Sequence, residues 1–179
     1  VLYAFGFERI GVFVSDLYFV DPDPTPGQEG AERGARLELR FLQGDALRGS
    51  IYSAQPISVD RPIWRCDLLE SVTGPAGSHD RTHHHPRFDG WEPGHRVFVE
   101  ELSAAPLTWL GDRLGDLPTL LAEAGVDPTD IGVRDAADLR TATPEILEAT
   151  ASVLRRVRAG EFASPRPDQP LDNARAGWL

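Results

Sequence analysis

The clearest element of the chain is a stretch in which Leu37, Leu39 and Phe41 alternate with Arg36, Glu38 and Arg40. Strict alternation of this kind predicts a β-strand with one face in a core and the other wet. Upstream, Leu2 to Val20 is rich in Phe, Val and Tyr and is broken at Gly11 and at Ser15-Asp16, so it reads as two or three strands joined by tight turns. Residues 21–34, opening with Asp21-Pro22-Asp23-Pro24-Thr25-Pro26-Gly27, hold too much Pro, Gly and acid for regular structure and are expected to form an exposed loop. Gln43-Gly44-Asp45-Ala46 reads as a turn and Leu47 to Val59 as a further strand, bent at Gly49 and Pro56. In the run Ile63 to Val72 large residues occupy both parities, the pattern of a central strand covered on both faces, and Arg65 and Asp67 share one of those faces. His95 to Glu101 is again strand-like.

From Ala104 the pattern turns helical. Pro106 suits the first turn of a short helix, and Asp116 can cap a second one that runs through Leu121 and stops at Gly125. The best helix is expected over Pro144 to Ala159. Thr143 is its cap, Ile146, Thr150, Val153, Leu154 and Val157 form its apolar stripe, and Arg155, Arg156 and Arg158 complement the dipole at its end. Strands first and helices afterwards predict an α+β fold, an antiparallel β-sheet meander followed by C-terminal helices packed on it. The expected organisation is one domain over residues 1–160, strand-rich over 1–101 and helical over 104–160, with a disordered tail over 161–179 whose Trp178-Leu179 end could dock on a surface.

Composition narrows the function classes. The net charge of −10 opposes indiscriminate attraction to phosphate backbones and anionic membranes, so an RNA substrate would need a local arginine patch. All 18 basic residues are arginine and methionine is absent, which suggests a high-GC bacterial gene. The single cysteine, Cys66, excludes an intramolecular disulfide and, lying in an apolar run, is expected to be a buried, inert thiol. No apolar run approaches the ~20 residues needed to span a bilayer and no secretory signal opens the chain, so the expected location is cytoplasmic, with no membrane partner.

Candidate chemistry concentrates in one place. All five histidines fall between His79 and His95, three of them consecutive in Thr82-His83-His84-His85-Pro86. Neutral imidazoles can ligate metals and move protons near neutral pH. If Thr82 to Phe88 is extended, His83 and His85 point one way and His84 the other. Two imidazoles on one side begin a divalent metal site, zinc for example, with His95 as the leading third ligand and His79, Asp67 and Asp80 as further candidates. Without a metal, His83 and His85 could act as general base and general acid in phosphoester cleavage. Asp67 would then orient an imidazole, and Arg65, Arg81, Arg87 or Arg96 would stabilise phosphoryl charge. A third reading leaves the histidines solvated or structural, with Gly74 to Ser78 a flexible hairpin tip, Arg65 and Asp67 an ion pair, and Phe88 and Trp91 loop anchors.

Through Arg65-Cys66-Asp67 followed by His83-His84-His85, the chain resembles the TumE-type family of bacterial toxin–antitoxin systems, over roughly residues 36 to 121. It differs in having Leu68 where that family tends to show Asn. The resemblance implies a toxin-like protein restrained by an antitoxin-like partner, with Arg65, Asp67, His83 and His85 as its site. The leading expectation is therefore a His-centred site that cleaves a phosphoester or RNA. The competing one is a non-catalytic interaction or regulatory module.

Overall fold

The computed structural model describes residues 1–164 and 175–177. Strands β1 (Leu2–Gly6), β2 (Ile10–Val20), β3 (Ala31–Gly44), β4 (Ile57–Ser71) and β5 (His83–His85) form one antiparallel sheet in chain order. A two-stranded hairpin, β6 (Phe88–Asp89) with β7 (Glu92–Pro93), follows β5. Helices α1 (Glu100–Ala104), α2 (Pro106–Gly115), α3 (Leu117–Ala124) and α4 (Asp135–Arg158) then pack on the sheet, giving the α+β meander that the strand-then-helix pattern predicts.

The core lies between the sheet and the helices. Val12 and Val14 of β2, Leu37 and Leu39 of β3, and Trp64, Cys66 and Leu68 of β4 meet Leu110, Leu114, Leu139, Ile146 and Val153, all fully buried. Each large side chain so buried stabilises the fold by roughly 1.5–3 kcal/mol. Cys66 is a buried free thiol whose pKa is pushed well up by burial, in keeping with an inert role. No helix of the described residues is long and apolar enough to cross a membrane.

Several boundaries differ from the sequence expectation, each for a visible reason. Strand β3 begins at Ala31, inside the expected loop. Gly34 lies so close to the neighbouring strand that a Cβ there would sit 2.0 Å from the Leu68 carbonyl oxygen, so this glycine marks close strand contact rather than a loop. Residues 47–56 are not a strand but the connection between two long strands, and its Ile51 and Tyr52 are exposed. The stretch from His95 to Glu101 contributes only an isolated bridge from Val97 to His84, and α1 begins within it at Glu100.

Helix α4 starts at Asp135 and carries Pro144 in its interior instead of beginning there. The fully buried Asp135 carboxylate accepts from the backbone N–H groups of Gly132 at 2.6 Å and Glu8 at 2.8 Å. This fastens the helix start, where negative charge is favoured, to the β1–β2 turn. Thr143 is consequently a mid-helix residue whose hydroxyl donates to the Leu139 carbonyl, and Pro144 is carried at the loss of one helical bond. In the expected tail, Ala163 is buried and its N–H donates to Asp16 Oδ2 at 3.1 Å, while β8 (Arg175–Gly177) pairs with β2. The remaining tail, including Trp178-Leu179, lies outside the described residues.

Candidate active site

The sheet face turned away from the helices is polar yet buried. Register places Arg36 of β3 opposite Asp67 of β4, Asp67 opposite His83 of β5, and Arg65 opposite His85. Alternation then aims Arg36, Glu38, Arg65, Asp67, His83 and His85 at one side. The residues after β5 fold back over this face, and the result is a cavity of about 550 Å³ lined by Arg36, Arg40, Arg65, Asp67, His83, Phe88, Trp91 and Arg96 among others. Arg36, Glu38 and Asp67 are each 5 % exposed or less, so the face expected to be wet is enclosed.

Asp67 is the hub. Arg36 grips it with two bonds, Nε to Oδ1 at 2.7 Å and Nη2 to Oδ2 at 3.1 Å. On the same Oδ2 converge Arg65 Nε at 3.1 Å, His83 Nε2 at 3.5 Å and His85 Nε2 at 3.8 Å. Burial alone would raise the Asp67 pKa, but the charges of Arg36 and Arg65 hold it well below the usual carboxylate range. It is therefore an ionised, caged carboxylate.

Both imidazoles are fixed by the backbone rather than by Asp67. His83 Nδ1 lies 2.8 Å from the Arg81 carbonyl and His85 Nδ1 lies 2.6 Å from the Gly94 carbonyl. A carbonyl only accepts, so each Nδ1 carries the proton and each Nε2 turns toward Asp67. The expectation that Asp67 orients an imidazole through its second nitrogen is thus replaced by two carbonyls that do so. His85 Nε2 accepts from Arg65 Nη2 at 2.8 Å. Burial and the Arg65 charge depress its pKa to about 3, which keeps the ring neutral.

The other candidates lie elsewhere. His84, on the opposite parity as alternation requires, accepts from Trp64 Nε1 at 3.3 Å and packs against Trp109, and burial lowers its pKa to about 4. His79 contacts Arg158 Nη2 at 3.1 Å, and Asp80 binds the backbone N–H of Ser71. His95 is exposed and is not part of the one candidate metal-ligand group found among the described residues. That group is Asp67, His83 and His85, whose ligating atoms lie within 4.8 Å of one another and could hold a metal ion. Of the four candidate arginines, Arg65 and Arg96 line the cavity. Arg87 donates to the Glu123 carbonyl and Arg81 to the Gly27 and Glu29 carbonyls.

Sequence reasoning missed Arg36, Arg40 and Glu32. The first two were visible as the polar half of the alternating strand. Glu32 is fully buried, its Oε1 3.2 Å from Arg96 Nη1, and burial raises its pKa against the pull of Arg96. No family model, curated protein or solved structure matches the chain.

The depressed histidines set the acid limit of the fold. A pKa lowered on folding contributes stability that is fully present above the unfolded value, here 6.5, and is lost as pH falls through the folded values of about 4 for His84 and about 3 for His85. The melting temperature is therefore expected to fall from pH 6.5 toward pH 4 as His84, His85 and the likewise lowered His79 take up protons on unfolding, each worth about 1.4 kcal/mol per pH unit, against an opposing contribution from the raised Glu32. Calorimetry across that range checks this, and a flat profile would contradict the buried neutral state of both rings.

Proposed function

We propose that this chain is a phosphoester-cleaving enzyme, toxin-like in character, with RNA as the leading substrate. The observation that carries this reading is the convergence of His83, His85 and Arg65 on one carboxylate oxygen of Asp67, in a cavity lined by Arg36, Arg40, Arg65 and Arg96 together with Glu38 and Glu92. His83, with Nδ1–H anchored, takes the proton of the attacking hydroxyl on Nε2 and returns it to the leaving oxygen. His85, held neutral, accepts from Arg65 and fixes that guanidinium, so the expected base and acid pair divides into one proton carrier and one positioning residue. Arg65 and Arg36, already desolvated and locked on Asp67, stabilise charge developing on the phosphoryl oxygens. The TumE-type resemblance adds the expectation of a restraining protein partner.

A second reading is a metal centre of Asp67, His83 and His85. It is favoured by the carbonyl anchors on both Nδ1 atoms, an arrangement frequent behind metal-bound imidazoles. Against it, the Arg65 guanidinium contacts both His85 Nε2 and Asp67 Oδ2 and would have to leave as a dication entered. The test is cleavage of single-stranded RNA by tag-free protein with and without chelator, beside metal analysis of the same sample and of a His83→Ala/His85→Ala variant. Chelator-resistant cleavage by metal-free protein is the expected result. Stoichiometric metal that disappears in the variant would favour the second reading, and a folded protein that neither cleaves nor holds metal would sink both.

A further inference from the structure

The wall of the cavity carries aromatic rings at three points, and each has a guanidinium against it. Arg40 lies over Trp91 at 5.2 Å, Arg65 over Phe88 at 5.8 Å and Arg96 over Phe19 at 5.8 Å. Two of these rings belong to the β6–β7 hairpin, whose pairs Phe88 with Pro93 and Asp89 with Glu92 leave Gly90 and Trp91 at the tip. Gly90 has φ +60°, which permits the tight reversal, and the Gly94 N–H closes the base on the Arg87 carbonyl at 2.9 Å. Trp91 lines the cavity and is 59 % exposed, an unusual state for the largest side chain, with the Arg40 guanidinium against its ring.

We infer that the cavity receives one nucleotide of a single-stranded RNA, its base stacked on Trp91 and its phosphate held against Arg36, Arg40 and Arg65. This inference rests on the phosphoester reading of the site and adds to it the seat of the substrate's base. Aromatic faces interleaved with arginines are what single strands require, since every base offers a π face and every linkage a negative charge. The guanidinium beneath Trp91 would complete a base, indole and cation stack. Size and charge favour a single strand over the duplex. A cavity of about 550 Å³ matches the ~300–1,000 Å³ of sites that enclose one drug-sized ligand. The net charge of −10 opposes the unspecific attraction that a second strand's phosphates would need.

The test is fluorescence anisotropy of a short fluorescein-labelled single-stranded RNA at fixed salt, on a His83→Ala background so that cleavage does not interfere, adding Trp91→Ala or Trp91→Phe. Trp91→Ala is expected to weaken binding about tenfold and Trp91→Phe to retain most of it, the size of one stacking contact. The same RNA as a duplex is expected to bind at least about tenfold less tightly. Trp91 is an exposed hairpin-tip residue, so melting curves of these variants should match their parent and separate lost stacking from lost fold. Binding indifferent to Trp91→Ala, or equal for duplex and single strand, overturns the inference. Competition by a free mononucleotide as strong as self-competition by the RNA overturns its RNA part. Trp91-dependent binding in the His83→Ala background beside a wild-type protein that never cleaves keeps the seat and sinks the cleavage reading, whereas wild-type cleavage unchanged by Trp91→Ala does the reverse.

Discussion

Replacing Asp67 with Asn is expected to destabilise the protein by about 3–5 kcal/mol, the range seen when one partner of a buried ion pair is removed. For a chain of this size that corresponds to a fall in melting temperature of roughly 6–20 °C. Asp67 is 1 % exposed and receives two bonds from Arg36 and one contact from Arg65. Asn keeps one acceptor oxygen but turns an NH2 toward guanidinium N–H groups, so donors face donors and two cations lose their counter-charge. The pH dependence has a definite sign. Because the Asp67 pKa is lowered on folding, its contribution is fully present above the ordinary value of 3.8 and is lost as pH falls through the depressed one. The gap in melting temperature between wild type and Asp67→Asn should accordingly be constant near neutrality and shrink below pH 3.8.

A companion variant separates fold from function at this hub. Replacing Arg36, Arg65 and Asp67 together by apolar residues of similar volume removes the charges and their desolvation at once, and is expected to recover most of the stability lost by Asp67→Asn. It should recover no activity. Stability and cleavage moving together across both variants would mean that the cluster acts only as a structural ion network, the third reading of these residues.

The meander, the central strand and the shared side of Arg65 and Asp67 were legible because period-two patterning reports strands directly. The placement of His83 and His85 on that same side followed from alternation as well. What alternation does not report is whether a polar face meets water. Arg36, Glu38 and Arg40 read as the wet half of a strand, and they are enclosed because residues 86–98, with almost no periodic signal of their own, fold back across them. His95 looked like a ligand by proximity in sequence, yet it is exposed, and Asp67 fills the third place in the cluster. Helix α4 misled in the other direction. Pro144 and Thr143 form a good local start signal, but the buried Asp135 holds the chain helical nine residues earlier through bonds to a turn more than 120 residues away in sequence. Only tertiary structure carries that information.

The second large effect is expected at His83. His83→Ala should lower cleavage of single-stranded RNA by about 10²–10⁴-fold, the range for a positioned proton carrier, with little change in RNA affinity. Its neighbour is predicted to behave differently although both rings are buried on the same face. The His85 ring is neutral with a pKa of about 3, and its Nε2 is engaged by Arg65 at 2.8 Å, so it gains no second proton at neutral pH and acts through the guanidinium it fixes. His85→Gln, whose side-chain oxygen can still accept from Arg65, is expected to keep most of the activity. His83→Gln, which accepts or donates a hydrogen bond but cannot carry a proton, should be as inactive as His83→Ala. Added imidazole should partly restore cleavage in His83→Ala, because the residue lines an open cavity, and should do nothing for His85→Ala, where the missing function is the position of Arg65. Equal loss in the two glutamine variants, with neither alanine variant rescued, would assign both imidazoles to positioning and leave the proton transfer to another group.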